Sequence, residues 1–132
     1  MKEFHLEIVT PDGLILDEMV ESLIVRTDDG DVEFLAGHID YMASLGTGKA
    51  RIKGGGSDRV ASVSGGFVTV SGGSVKLVAI TFEFADEIDL ERAKAARDTA
   101  KELLSSAKDS ATLELASAKL QRALNRINVA ES

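Results

Sequence analysis

The chain changes character near residue 85, where short apolar runs divided by glycines give way to an alanine-rich segment. From Glu83 to Ala93 the sequence reads Glu-Phe-Ala-Asp-Glu-Ile-Asp-Leu-Glu-Arg-Ala. An aspartate at a helix start can accept hydrogen bonds from the unpaired backbone N–H groups there, and a residue three positions on lies on the same face. Asp89 and Arg92 therefore indicate a helix start that also presents paired charge.

The segment before the junction has the pattern of short β-strands. Apolar and polar residues alternate from Phe4 to Val9 until Thr10-Pro11-Asp12-Gly13 breaks the run, which is typical of a half-buried strand that ends in a turn. Further β-branched runs follow at near-regular spacing, divided by Ser64-Gly65-Gly66 and Ser71-Gly72-Gly73. This spacing predicts an antiparallel β-sandwich or barrel over residues 1–84.

The segment after the junction has helical periodicity in two parts. Ser105–Ser110 interrupts the pattern, and Asp109 or Ser110 can cap a second helix. The apolar positions on the two parts are Ala93, Ala96, Ala100, Leu103 or Leu104 and Ala107, then Leu113, Ala116, Leu120, Ala123 or Leu124 and Ile127. Two such stripes predict an antiparallel helical hairpin over residues 85–132, so the fold class is α+β: an N-terminal sandwich followed by a C-terminal hairpin.

The predicted helix seam consists mostly of alanine. Burial of an alanine methyl contributes clearly less than the ~1.5 to 3 kcal/mol of a leucine side chain, whereas alanine has the highest helix propensity. We therefore expect helices that persist while their docking changes. A static helical cap on the sandwich is an equally good interpretation of the same residues.

Composition excludes several classes of function. Hydrophobic residues make up 44% of the 132 positions, which is enough for a core, but aromatic residues make up only 5% and the formal charge is −7. Nucleic-acid binding needs a positive surface and often stacking rings, so we expect no nucleic-acid partner. The charged N-terminus and the lack of a ~20-residue apolar run predict a soluble cytoplasmic chain that reaches a membrane only through a partner.

The motifs of catalysis and metal binding are missing from the sequence. There is no cysteine, and no lysine follows the glycine pairs in the P-loop pattern, so turn glycines are the better interpretation. His5 and His38 are far apart in sequence and are expected to be structural. We predict no catalytic residue, no metal and no required cofactor.

Taken together, the motifs resemble those of the epsilon subunit of bacterial F-type ATP synthases, over nearly the whole chain. The resemblance rests on Leu6–Gly13, Gly37-His38, Ser64–Val68, the alternating Ala79, Thr81, Glu83 and Ala85, and Ile88–Ala93. It implies a central-stalk subunit that turns with the rotor. Its β domain would dock on the gamma subunit and on the polar loops of the membrane c-ring, and its helices would fold on the sandwich or extend into the alpha/beta catalytic head and impede hydrolysis.

The resemblance also implies a regulatory ATP site in some bacterial members, with ATP as a ligand rather than a cofactor. Lys119, Arg122 and Arg126 fall at three-to-four-residue steps on one face of the second helix, which is usually only a solvated surface. An arginine fork nevertheless suits phosphate or carboxylate. The positions that match the family site are Glu83, Ile88, Asp89, Arg92, Ala93, Arg122 and Arg126. Arg122 and Arg126 could instead contact an acidic segment of the catalytic beta subunit.

One stretch departs from the family pattern. The residues from Thr27 to Tyr41 are unusually acidic and lack the prolines that members usually have there. The resemblance places c-ring and gamma contacts in this loop, and Asp31 and His38 are the expected rotor contacts. Phe82 and Phe84 stand where smaller or polar residues are common, which could change how the first helix packs.

Two functions fit these observations. The first is a non-catalytic rotor subunit on the cytoplasmic side of the inner membrane that couples ion translocation to ATP synthesis and regulates hydrolysis. The alternative is a freestanding ATP-binding sensor whose hairpin closes on nucleotide. An enzyme is the weakest hypothesis, because no nucleophile–base pair, metal cluster or P-loop is present.

Overall fold

The computed structural model describes residues 2–132 and divides into two compact units, one that ends at Phe84 and one that begins at Ala85. The first unit is built from β-strands and the second from helices. The predicted class, a β-sandwich followed by a helical hairpin, is confirmed. Neither helix within residues 2–132 combines the length and apolar character that a bilayer crossing requires.

Eight strands form the first unit over its described residues, 2–84. They are β1 Phe4–Thr10, β2 Gly13–Val20, β3 Ser22–Thr27, β4 Gly30–Leu35, β5 Tyr41–Ser44, β6 Gly48–Gly54, β7 Ser57–Ser71 and β8 Ser74–Phe84. Their order is β2-β1-β8-β7-β6-β3-β4, and β5 pairs with β7. Every pairing is antiparallel except that of β1 with β8, which is parallel.

In two of the hairpins, a threonine hydroxyl forms hydrogen bonds to the backbone of the turn. In Thr10-Pro11-Asp12-Gly13, the Asp12 N–H donates to the Thr10 hydroxyl oxygen at 3.2 Å. In Thr27-Asp28-Asp29-Gly30, the Asp29 N–H donates to the Thr27 hydroxyl at 3.1 Å, and that hydroxyl donates to the Gly30 carbonyl at 2.8 Å. These local bonds satisfy buried threonine side chains and fix two-residue turns, which set the strand register.

Strand β7 is continuous through Ser64-Gly65-Gly66, a segment that the sequence pattern predicted to separate two strands. Its first half pairs with β6 and its second half with β5, while β8 runs beside both halves. Gly66 has a φ of 101°, and a Cβ added there would lie 1.9 Å from the Val78 carbonyl oxygen. The glycines therefore allow close approach of two strands rather than a turn.

The core of the sandwich consists mostly of aliphatic side chains from the inward positions of the strands. The largest fully buried members are Phe34, Leu6, Ile8, Leu23, Ile52, Leu77, Val20, Val25, Val68 and Val75. Phe34 is the only aromatic ring in this group, as the low aromatic content predicted. Alternate burial along β1 and β6 gives each of these strands one core face and one outer face.

Phe82 and Phe84 also belong to the sandwich. Both pack against its core, and their rings meet edge to face with centroids 5.1 Å apart. The Arg59 guanidinium lies 5.7 Å from the Phe84 ring centroid and pairs with Glu18 on β2. The rings of Phe82 and Phe84 thus hold the C-terminal end of β8 against the core.

The second unit contains two helices, α1 Leu90–Ser106 and α2 Ser110–Ala130, preceded by a 3-10 turn at Ala85–Glu87 that packs against α2. The buried side chains are Ala93 and Ala100 on α1, and Ala116, Ala123, Ile127 and Val129 on α2. The alanine-rich seam is therefore confirmed. Two predicted members are wrong, because Ala96 faces solvent and Leu113 is 41% exposed near the start of α2.

Substitution of Gly66 tests the close approach of β7 and β8. We expect Gly66→Ala to lower the free energy of unfolding by at least ~3 kcal/mol, because it adds a backbone clash to an unfavourable φ. Urea denaturation of the full chain measures this change. Gly73→Ala is the matched control: φ is 84° and nothing lies within 4 Å of the added Cβ, so only ~1 kcal/mol is expected. Equal losses in the two variants would contradict the steric argument.

Candidate functional site at the start of the helical hairpin

Asp89 caps helix α1. Its backbone is extended, with φ −79° and ψ 100°, and its Oδ1 accepts a hydrogen bond from the Arg92 N–H at 3.1 Å. The Ala93 N–H donates to the Asp89 carbonyl at 3.0 Å, which is the first intrahelical bond. The predicted position of Asp89 at the helix start is confirmed, and one of its two carboxylate oxygens, Oδ1, caps the helix.

The buried alanines align the two helices. Ala93 and Ala100 are seven residues apart on α1, and Ala116 and Ala123 are seven apart on α2. In an antiparallel pair, this equal spacing puts Ala93 level with Ala123 and Ala100 level with Ala116. The first turn of α1 is therefore level with the part of α2 that contains Arg122 and Arg126.

Three arginines lie on the parts of the two helices that this alignment makes level. Arg92 is exposed on the first turn of α1, and Arg122 and Arg126 are half-buried one turn apart on α2. Within residues 2–132, the side chains of Arg92 and Arg122 form no ion pair. From Leu115 to Ala130, helix α2 has no acidic residue. Helix α2 is therefore basic at this end of the hairpin, whereas the start of α1 and the end of α2 also have acidic residues: Asp86, Glu87, Asp89, Glu91 and Glu131.

The other predicted site residues are placed differently. Ile88 is half-buried, and its N–H donates to the Ala85 carbonyl at 3.3 Å, which closes the turn before α1. Ala93 is fully buried and lies in the seam, so it has no polar group to offer a ligand. Glu83 is half-buried near the end of β8 and belongs to the first unit. Of the predicted site residues with polar side chains, Asp89 and the three arginines thus belong to the helical unit.

The chemistry of these side chains fits a polyphosphate. Guanidinium groups donate in a planar fork that matches phosphate oxygens, and a second carboxylate oxygen of Asp89 accepts no hydrogen bond within residues 2–132. Such an oxygen can accept from a ribose or base N–H or O–H. No group of three or more metal-ligating side chains occurs in the same residues.

The predicted rotor contact Asp31 lies on β4 and already has a partner. It is the cross-strand neighbour of Arg26, and Arg26 Nε lies 2.7 Å from Asp31 Oδ1. The hydrogen bond and the negative charge of Asp31 raise the pKa of Arg26 above its ordinary value. Both side chains remain about half exposed, so the pair offers its outer atoms to a polar partner.

Sequence reasoning did not identify Arg26 as part of this surface. The Thr-Asp-Asp-Gly sequence contained the signal. A two-residue turn pairs Thr27 with Gly30, and the next pair along the two strands is then Arg26 with Asp31. Any charged pair at these two positions is a cross-strand pair. Register deduced from the turn would therefore have found the ion pair.

His38 lies among aromatic side chains. Its ring centroid is 4.9 Å from that of Phe34 and 5.8 Å from that of Tyr41, and its Nδ1 is 2.7 Å from the Ile39 carbonyl oxygen. His5 pairs with Asp17 on the neighbouring strand. Each histidine thus has a structural contact, and His38 is half-buried at the loop where the rotor contact was predicted.

Comparisons with known proteins assign the chain to a family. Residues 3–85 match the family model of the ATP synthase delta/epsilon chain β-sandwich domain, and residues 86–131 match that of its long α-helix domain. The chain is 45% identical over 130 residues to the ATP synthase epsilon chain of Bacillus subtilis, with 98% of each chain covered. It is 36% identical over 131 residues to that of Caldicellulosiruptor saccharolyticus, with 99% of this chain and 96% of the relative covered.

Solved structures show the same fold. A chain in the mitochondrial ATP synthase of Euglena gracilis, a structure of OSCP/F1/c-ring, superposes with a TM-score of 0.80 at 28% identity, over 90% of this chain and 76% of that one. A chain in the central stalk/c-ring of the Tetrahymena thermophila mitochondrial ATP synthase superposes with a TM-score of 0.70 at 12% identity, over 98% of this chain and 97% of that one. This likeness supports the fold alone.

The protein therefore belongs to the ATP synthase delta/epsilon chain family. Its full-length relatives are bacterial epsilon chains, which are non-catalytic subunits of the synthase. The resemblance found in the sequence and the prediction of a non-catalytic subunit are both confirmed.

Titration of the second helix cap provides a test of the hairpin electrostatics. Hydrogen bonds from the Thr112 hydroxyl and N–H lower the pKa of Asp109. Because the folded pKa is depressed, the stabilisation is complete above the unfolded pKa of about 4 and is lost as pH falls through the folded value.

We expect Asp109→Asn to lower the thermal midpoint of helix unfolding at pH 7, and this deficit to shrink as the pH falls below about 4. Far-UV circular dichroism of both proteins across the acid range measures it. Glu114→Gln, at an exposed position of α2 with no ion pair within residues 2–132, controls for the loss of one negative charge. A deficit that is independent of pH would contradict the assignment to the Asp109 carboxylate.

Proposed function

We propose that this protein is a rotor subunit in the central stalk of an F-type ATP synthase. In this role it couples ion translocation through the membrane ring to ATP synthesis and is held on the cytoplasmic side of the inner membrane by its partners. The observation that carries the proposal is that both units match one family over the full length of bacterial epsilon chains. Structural neighbours occur in assemblies that contain F1 and a c-ring.

The sandwich supplies the docking function in this proposal. Its partners are the gamma subunit and the polar loops of the c-ring. The β3–β4 hairpin presents the half-exposed Arg26–Asp31 pair, and the following loop holds His38 between Phe34 and Tyr41. The charged pair suits a polar loop, and the aromatic packing gives the loop a defined shape.

The helical unit supplies regulation. Four alanines make up most of its buried seam, so opening the hairpin exposes little apolar surface compared with a leucine seam. Both helices have aspartate caps that keep their starts ordered whether or not they are paired. We infer that the helices change position as intact rods, and that in an extended form α2 contacts the alpha/beta catalytic head and impedes hydrolysis.

ATP is proposed as the ligand that favours the closed hairpin. A ligand shifts a conformational equilibrium only by its difference in affinity for the two states. Arg92 is on α1, whereas Arg122 and Arg126 are on α2, so one polyphosphate can contact all three only when the helices are paired. Asp89 would accept from the nucleoside part. This proposal rests on residues of the helical unit.

The alternative function, a freestanding ATP sensor, would use the same hairpin. The full-length match to epsilon chains favours the rotor role, since a sensor without a motor has no need of a family-typical docking domain. Both functions share the prediction of ATP binding, and only the rotor role predicts an effect on ATP hydrolysis by the assembled complex.

Removal of the helices tests the rotor role. Truncation after Glu87 deletes α1 and α2 and leaves all eight strands. We expect the shortened chain to assemble into the purified synthase and to raise its rate of ATP hydrolysis severalfold, because the inhibitory helices are gone. Truncation after Ala130 removes only the residues after α2 and serves as control. An unchanged rate with the shorter chain would show that the helices are a static cap.

The ATP proposal is tested by calorimetry on the isolated full chain. We expect measurable ATP binding that the double substitution Arg92→Ala and Arg126→Ala weakens at least tenfold, since each lost charge-assisted contact contributes about 1.5 to 3 kcal/mol. The control replaces Lys101 and Lys108 with alanine, which removes the same charge elsewhere in the helical unit. No heat with ATP, or equal affinity in both double variants, would refute this site.

A further inference from the structure

The last strand of the sandwich has little backbone support at its end. Strand β8 pairs with β1 only at Val75–Val78, whereas its pairing with β7 continues to Phe84. From Ala79 onward, β8 therefore has a neighbour on one side only among the described strands. A strand end with a single ladder frays easily unless side chains hold it in place. Phe84 is also the last residue of the sandwich unit.

No free chain separates this strand end from the helical unit. Strand β8 ends at Phe84, and the 3-10 turn Ala85–Glu87 begins at the next residue and packs against α2. If the helices change position as proposed, the change must be absorbed either by the few residues before α1 or by peeling of β8 from β7. The side chains that hold Phe84 determine which of these happens.

Arg59 connects the end of β8 to two other strands. It lies on β7, two residues before Ala61, which is the register partner of Phe84. A long side chain at such a diagonal position can reach across to the neighbouring strand. The Arg59 guanidinium lies 5.7 Å from the Phe84 ring centroid, and its Nη2 pairs with Glu18 on β2. We call Arg59, Glu18 and Phe84 the strand-end clamp.

The environment of Arg59 favours the planar guanidinium. Its side chain is only 32% exposed, and its Nε is buried without a hydrogen-bond partner among the described residues. An unpaired buried donor is unfavourable, and a lysine would have no donor at that point of its side chain. A lysine would also keep the charge that pairs with Glu18. The feature that a lysine lacks is the flat face that stacks on an aromatic ring, which is the contact with Phe84.

Phe82 supports the ring of Phe84. The two residues alternate along β8 and therefore project to the same side of the strand. Their rings meet edge to face, with centroids 5.1 Å apart and an interplanar angle of 86°. Both pack against the sandwich core. Peeling of the strand end would thus expose two rings together, so the clamp opposes a single cooperative opening.

We propose that Arg59 is a positioning residue for the helical unit, because it holds Phe84 on the sandwich and confines the movement of the helices to the residues between Phe84 and Leu90. The inference rests on the proposed regulatory function. If β8 peeled at its end, Phe82–Phe84 would join the connecting segment and lengthen it by up to about 10 Å. A longer flexible connection lowers the effective concentration of the helices at the catalytic head, so the clamp strengthens their inhibition of hydrolysis.

Amide hydrogen exchange of the full chain tests the clamp. We expect Arg59→Gln to accelerate exchange in Phe82–Phe84 at least about tenfold, because the strand end then opens locally. The segment Val75–Val78, which is paired on both sides, should keep the rate of the unmodified protein. Phe84→Leu should accelerate the same amides, and its combination with Arg59→Gln should add less than about twofold, since both changes remove one contact.

Arg51→Gln is the matched control. Arg51 also pairs with a carboxylate, at 3.5 Å from Asp58, and it also has a buried Nε without a hydrogen-bond partner among the described residues. It lies on β6, which β7 separates from β8. We therefore expect exchange in Phe82–Phe84 to stay within about twofold of the unmodified rate in this variant.

ATP hydrolysis by purified synthase from the same organism tests the positioning role. We expect the complex with Arg59→Gln to hydrolyse ATP about twofold faster than the complex with the unmodified chain, because the helices reach the catalytic head less often. This increase should be smaller than that of truncation after Glu87, which removes both helices. Arg51→Gln should leave the rate unchanged.

The outcomes separate the inference from the function on which it rests. If truncation raises hydrolysis but Arg59→Gln changes neither exchange nor hydrolysis, the clamp is wrong and the regulatory function stands. If Arg59→Gln accelerates exchange but not hydrolysis, Arg59 has only a structural role and the proposal is overturned. If truncation itself leaves hydrolysis unchanged, the regulatory function fails and the inference fails with it.

Folding of the variants is checked by circular dichroism and urea denaturation. Should Arg59→Gln prove too unstable to fold, Phe84→Leu decides the question, since it keeps an apolar side chain at a half-buried position and removes only the ring. Exchange and hydrolysis that both match the unmodified protein in Phe84→Leu would overturn the proposal as well.

Discussion

The close pairing of β7 with β8 is the constraint on which the sandwich depends. One strand of this pair reaches both β6 and β5, and the other reaches the parallel strand β1, so the two halves of the sheet meet in a single ladder. At its middle, Gly66 has no side chain because the Val78 carbonyl occupies the space. The core positions on both strands and the pairing of Phe84 with Ala61 at the end of β8 follow from this register.

The helical unit, by contrast, has a weakly packed seam between two locally stabilised helices. Its seam is made of alanine with a few larger aliphatic residues, and its helix starts are secured locally by Asp89 and Asp109. Local caps keep each helix intact, whereas the small seam makes their association weak. This contrast fits the proposed role, in which the sandwich stays bound in the synthase while the helices change position in response to nucleotide.

Turn and cap chemistry made much of this architecture predictable. The Thr10 and Thr27 turns, the capping aspartates and the alanine seam all follow from local rules that act within a few residues. Ser64-Gly65-Gly66 was misjudged because a glycine pair in a turn and one at a close strand contact are identical in sequence. Ala96 was wrongly assigned to the seam because a stripe pattern does not show where the partner helix lies.

The single tyrosine has a consequence for observing this protein. The sequence contains no tryptophan, so intrinsic emission comes from Tyr41 alone, whose ring lies 5.8 Å from both Phe34 and His38. The helical unit contributes no fluorophore. Ultraviolet fluorescence of the unlabelled chain is thus a site-specific signal from the first residue of β5, and it would respond to any contact made at that surface.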